Sequence, residues 1–85
     1  MLKIAEYNKI TGKKTELSEL EKFGFNVDMY NLWYECHSKE NNKDSIIVNI
    51  ENRKLSFYQN YNGKSYDLLY DLIEAGYVEK VEEWN

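Results

Sequence analysis

Cys36 and His37 are the only thiol and the only imidazole in the chain, and side by side they have the types that a nucleophile and its base require. Their spacing argues against that chemistry. Residues 30–37, YNLWYECH, alternate with Tyr30, Leu32, Tyr34 and Cys36 on one side, the pattern of a half-buried strand. Adjacent side chains on a strand point to opposite faces, so Cys36 and His37 are not expected to meet. The ordinary reading is a small buried hydrophobe beside an exposed polar residue. One His and one Cys also fall short of a tetrahedral zinc set, and the carboxylates show no EF-hand spacing. No metal and no cofactor is expected.

Asp67 and Asp71, four residues apart, are the closest approach to a carboxylate pair for acid–base work. Nothing near them in the sequence supplies a nucleophile, a pocket or an oxyanion donor. The glycines Gly12, Gly24, Gly63 and Gly76 are isolated, each at a turn or helix end, so no phosphate-cradling loop is present. An enzyme is not expected on these grounds.

Binding is the better-supported chemistry. Asp67, Asp71 and Glu74 fall together on one side of a helix, followed by Glu79, Glu82 and Glu83. Asp67 suits a helix N-terminus, whereas Glu74 sits in the last turn, where negative charge is unfavourable. Such a surface would dock a basic protein partner and speed encounter with it; the plainer alternative is a solvated helix face and a solubilising tail. A second candidate is the outer face of the sheet, where Trp33, Ile47 and Tyr58 lie among Glu35, Asn49, Lys54 and Ser56. Aromatics there would anchor a protein or stack bases, unless another segment or a second copy covers them. Few cations surround them and no RNP-like motif occurs, which weighs against direct nucleic-acid binding.

These side chains are positioned around residues 45–61, SIIVNIENRKLSFYQNY, which read as a β-hairpin at the centre of an antiparallel sheet. Ile46, Val48 and Ile50 share one face of the first arm, and Leu55, Phe57 and Tyr61 one face of the second. A two-residue turn at Asn52-Arg53 would set Glu51 opposite Lys54, Ile50 opposite Leu55, Val48 opposite Phe57 and Ile47 opposite Tyr58. Arg resists the positive φ that such a turn asks of it, so a slightly longer loop is the alternative. The strand 30–37 joins the hairpin through a polar loop at 39–44, with Cys36 near Ile46, Tyr34 near Val48 and Leu32 near Ile50, which makes a three-stranded meander.

Before the meander, residues 2–7 alternate as a short strand with Leu2 and Ile4 inward, residues 11–14 form a turn, and residues 15–23 form a short helix ending at Gly24. Ser18 and Glu21 have capping-box spacing, which would start that helix later. Residues 25–29 fit either a turn or a further helical turn. After the meander, residues 62–64 form a turn, Ser65 caps a helix over 66–75, and Gly76 ends it. Tyr66, Leu69, Tyr70, Leu72 and Ile73 make its apolar stripe. Residues 77–85 are a last strand, a helical turn or an acidic tail.

The fold class is therefore α+β, in the order β-α-β-β-β-α-β, with two helices on one face of a small antiparallel sheet. Residues 1–85 make a single domain, small enough that a homodimer would help it. Aromatics at 15%, including eight Tyr and two Trp, supply core volume that aliphatic residues do not. The net charge of -4 argues against gripping phosphate backbones. It is concentrated late: residues 61–85 oppose six acids to Lys64 and Lys80 alone, whereas residues 1–24 are near balance. One cysteine, no signal peptide and no long apolar run predict a cytoplasmic protein that does not enter a membrane. Lys outnumbers Arg heavily, Asn and Tyr are abundant and Pro is absent, a bias that fits an AT-rich genome. The expectation is a small acidic binding protein, an inhibitor or decoy of the phage or mobile-element type, that occupies the basic groove of a nucleic-acid-binding protein. The alternatives are a nucleic-acid-binding module using the sheet face and a subunit whose active site a partner completes.

Overall fold

A computed structural model describes residues 1–37, 44–58 and 66–82, the side chain of Tyr66 excepted. The expected turn at 62–64, most of the loop at 39–44, Ser65, Tyr61 and Glu83 lie outside the described residues.

The chain is a small α+β protein with antiparallel sheets and two helices. Its elements are β1 (Leu2–Ile4), a 3₁₀ helix (Leu17–Phe23), β2 (Asn26–Asp28), β3 (Trp33–His37), β4 (Ser45–Asn49), β5 (Leu55–Tyr58), α1 (Tyr66–Glu74) and β6 (Val78–Lys80). The meander has four strands in the order β2-β3-β4-β5, and β1 pairs with β6 in a separate two-stranded sheet. The sheets meet where Lys3 faces Lys54 and the Ile4 N–H donates to the Arg53 carbonyl at 2.8 Å.

The extra strand β2 occupies residues expected to form a turn or a further helical turn, and the expected strand 30–37 starts only at Trp33 because residues 29–32 make the turn instead. The register of β3 on β4 is the expected one, with Cys36 opposite Ile46 and Tyr34 opposite Val48. The Ile50 N–H extends it by donating to the Leu32 carbonyl at 3.0 Å.

The hairpin between β4 and β5 differs from the two-residue turn. Val48 faces Leu55, Ile47 faces Ser56 and Ile46 faces Phe57, so the register is displaced by two residues and every side chain keeps its face. Asn49 explains the displacement: its Oδ1 accepts the N–H groups of Glu51 and Asn52 at 2.8 and 3.0 Å, which closes a four-residue loop ending at Arg53 with φ 64°. The same loop recurs twice. Asp28 Oδ1 accepts from Tyr30 and Asn31 at 3.0 Å each, and Leu32 ends that loop at φ 58°. Asn8 Oδ1 accepts from Ile10 and Thr11 at 2.8 and 3.0 Å, and Gly12 ends it at φ 74°. The expected turn at 11–14 is therefore centred earlier, over Lys9 to Gly12. An Asx side chain satisfying the amides of a tight turn, with a left-handed residue to return the chain, is the shared device.

The first helix is a 3₁₀ helix that starts at Leu17. Ser18 and Glu21 do not box its start; the Glu16 N–H donates to Glu19 Oε2 at 2.8 Å instead. Leu20 from this helix, Leu69 and Leu72 from α1, and Tyr77 and Val78 join Ile4, Phe25, Ile46, Val48 and Leu55 in one buried cluster. The helices thus fill the same core as the even-numbered side chains of β4. On α1 the inward stripe is Leu68, Leu69 and Leu72, continued by Ala75 just past its end. Tyr70 and Ile73, expected in that stripe, are 59% and 45% exposed. The 3.6-residue repeat allows only one flank to face the core, and Leu68 with Ala75 takes it.

The end of α1 is fastened to the N-terminal loop. Asn8 Nδ2 donates to the Ala75 carbonyl at 2.8 Å, and the Lys9 N–H donates to the Gly76 carbonyl at 2.9 Å. Gly76 has φ 85°, and a β-carbon there would collide with Asn8 Oδ1 and come within 3.0 Å of the Ile10 nitrogen, so both backbone and space require glycine. Ala5 N–H then donates to the Tyr77 carbonyl at 2.9 Å, which leads into the β1–β6 pairing.

Candidate functional site

The candidate docking surface is the solvent side of α1. Its nine residues, YDLLYDLIE, contain no cation. Asp67, Asp71 and Glu74 are exposed along one flank, and Tyr70 and Ile73 are exposed along the next. The helix therefore has an inner apolar stripe, an outer acidic row and an outer apolar ridge. Two features of the acidic row work against helix stability: Asp67 and Asp71 repel at i, i+4, and Glu74 stands at the negative end of the dipole with no basic residue in the last turn.

The other expected acids fare differently. Glu79 lies on β6, half-buried, with its carboxylate 3.8 Å from Lys3 Nζ across the β1–β6 pair. That lysine partly neutralises it. Glu82 is exposed beyond β6, and Glu83 lies outside the described residues. Asp67, Asp71 and Glu74 are brought together on one element, whereas Glu79 already has a partner of its own.

On the outer face of the meander, the ladder places Trp33, Ile47 and Tyr58 on one side together with Glu35, His37, Asn49 and Ser56. Ile47 is buried at 6% exposure, so it offers no contact surface. Trp33 is half-buried, and its indole N–H is buried with no hydrogen-bond acceptor among the described residues. Tyr58 is exposed. Of the three, Tyr58 and part of Trp33 reach solvent.

Cys36 and His37 lie on opposite faces of β3, as strand geometry requires. Cys36 Sγ is half-buried against the core and 3.9 Å from the Phe23 carbonyl, while His37 Nε2 lies 3.3 Å from Glu35 Oε2 on the other side. Among the described residues no three His, Cys, Asp or Glu side chains cluster as metal ligands would.

Two further polar groupings, neither visible in the sequence, prove architectural. Arg53 Nη2 donates to the Thr15 carbonyl at 2.6 Å and to the Ala5 carbonyl at 3.4 Å, and Nε donates to the Ile4 carbonyl at 3.2 Å. The sole arginine is a clasp for the N-terminal segment. Tyr77, buried, donates its hydroxyl to Glu19 Oε1 at 2.8 Å, with Lys22 Nζ 3.4 Å from the same hydroxyl and Phe23 edge-on to the ring at 5.3 Å. The Glu16 amide, then the Tyr77 hydroxyl and Lys22 hold the Glu19 carboxyl below its ordinary value.

No known protein family, no curated protein and no solved structure matches the chain. Among the described residues, no helix is long and apolar enough to cross a membrane.

Tyr70 and Ile73, expected inward, face solvent, as do Tyr30 and Leu32 of the expected strand 30–37, while Ile47, expected outside, is buried. On α1 the signal was present: counting Leu68 and Ala75 with Leu69 and Leu72 already fills one inward arc of the wheel, which leaves Tyr70 and Ile73 beside the acids.

Proposed function

We propose that this is a small, non-enzymatic binding protein that docks the acidic side of α1 on a basic protein partner. In its sharper form it acts as an inhibitor or decoy, filling a basic groove that otherwise holds nucleic acid, a task suited to small proteins of phage or mobile-element type. The observation that carries the reading is the exposed Asp67, Asp71 and Glu74 row on a helix without a single cation. The Asp67–Asp71 repulsion and the placement of Glu74 at the helix C-terminus oppose the stability of the helix, and an uncompensated field of one sign favours encounter with the opposite sign. Glu82 adds to that field, and Glu79 contributes less because Lys3 is paired with it.

The sheet face supports the alternative of base stacking less well, since Ile47 is buried and the Trp33 indole N–H is enclosed.

The test is capture from a cell lysate with the protein and with a variant carrying Asp67→Asn, Asp71→Asn, Glu74→Gln and Glu82→Gln. Glu79 is left intact because it fastens β6 to Lys3. A basic protein retained at low salt, released as salt rises and lost with the variant is the expected result. Capture that is unchanged by the four substitutions and indifferent to salt would overturn the reading.

A further inference from the structure

We infer that the partner presents a basic amphipathic helix to α1, with apolar side chains that sit on the Tyr70–Ile73 ridge and lysines or arginines that reach the Asp67, Asp71 and Glu74 row. This rests on the docking reading above and adds the shape and chemistry of the partner element.

Two exposed hydrophobes lying beside the acids on one element add apolar contact to the charged surface. Tyr70 and Ile73 are 59% and 45% exposed, and they stand three residues apart, so they form one ridge along the helix surface. Asp67, Asp71 and Glu74 lie at matching three- and four-residue intervals on the adjoining flank. The two rows run side by side over an element of nine residues, about 13 Å long. Ridges at these intervals are what a second helix packs into, and a helix of two to three turns covers that length. Charge selects the sign of the partner: apolar residues at i, i+3 and i+4 meet the ridge, and cations on the neighbouring flank meet the acids.

The probes are two synthetic peptides of identical Leu and Lys content, one with Leu segregated on a single helical face and one with the same residues scrambled. Each is titrated against the intact protein at low salt by calorimetry. The segregated peptide is expected to bind about tenfold more tightly than the scrambled one, and to gain helicity on binding. Tyr70→Ser with Ile73→Ser is expected to abolish that preference while leaving the weaker, salt-sensitive binding of both peptides. Both residues are exposed, so the fold is expected to survive; a thermal melt confirms it, and the two-peptide comparison on the unaltered protein stands without it. Equal affinity for both peptides, lost on replacing Asp67, Asp71 and Glu74 by amides, would overturn the amphipathic partner and leave the acidic docking reading standing. Binding of neither peptide would overturn both.

Discussion

Arg53 holds an unfavourable backbone conformation and a favourable set of side-chain contacts at once. Its φ of 64° lies in the left-handed region, yet its guanidinium donates to the carbonyls of Ile4, Ala5 and Thr15. Arg53→Gly relieves the backbone and removes the clasp, and the second effect is expected to win, because acceptors left without donors cost about 1–3 kcal/mol. Arg53→Lys is expected to rescue little, since a single ammonium lacks the planar fork that spans separate carbonyls. Urea midpoints decide this, and a glycine variant more stable than the parent would refute the clasp. Titration of Asp28 and Glu19 adds an acid-side dependence. The Asn31 backbone amide, the Asn31 side-chain amide and the Tyr30 amide hold the Asp28 carboxyl below its ordinary value near 3.8, and Glu19 is held below 4.5. Because folding lowers both, their contribution is complete above those ordinary values and is lost as pH falls through the lower folded ones. Asp28→Asn keeps an oxygen for the turn amides, as Asn8 and Asn49 do, but loses the charge and the acceptor of the Asn31 side-chain amide, so it is expected to lower neutral-pH stability slightly and to flatten the acid limb as pH falls below 3.8. An acid limb identical to that of the parent protein would show that the turn, and not the charge, is all that Asp28 supplies.

At the level of elements, the recurrent four-residue loop separates what could be read from what could not. Asn8, Asp28 and Asn49 each begin one, but only the first ends in the residue that announces a left-handed conformation, Gly12. Leu32 and Arg53 end the others, so the sequence does not announce β2 with its turn, and the β4–β5 pairing lies two residues from the register of a two-residue turn, closed by the longer, alternative loop. Leu32→Gly is expected to raise stability by up to about 1 kcal/mol, since relief of left-handed strain exceeds the chain entropy that glycine adds. A lower urea midpoint for that variant would contradict it. Where periodicity and pairing agreed, as for Cys36 opposite Ile46 and Tyr34 opposite Val48, the sequence was sufficient. On α1 the element and its acidic flank are legible, and the rotation becomes so only when Leu68 and Ala75 are counted with Leu69 and Leu72, because Tyr70 and Ile73 are large apolar side chains too. Leu72, fully buried, fixes that rotation. Leu72→Ala is expected to cost about 2–5 kcal/mol, against little for Ile73→Ala; similar losses for both would mean that Ile73 belongs to the core.

Across the whole molecule, charge and packing are divided between different parts of the chain. The N-terminal segment, near charge balance, supplies Ile4, Asn8, Thr15 and Leu20 to the interior and its joints, while the acidic row stands on the outside of a helix whose inner side completes the same core. Removing the acids therefore acts on encounter and removing Leu72 acts on folding. Raised ionic strength is expected to weaken partner binding by the parent protein while barely affecting it in the four-amide variant. The fastening of Asn8 to the end of α1 has a consequence for local opening. The amides of Ala5 and Lys9 donate to the carbonyls of Tyr77 and Gly76, and the Tyr77 amide donates to Leu72. Groups from opposite ends of the chain are thus released only when the C-terminal end of α1 lets go, which makes them one cooperative unit in hydrogen exchange. A ligand that holds α1 on the core would slow exchange at Ala5 and Lys9 without touching either, so protection at the N-terminal loop becomes a distant report of occupancy on the helix.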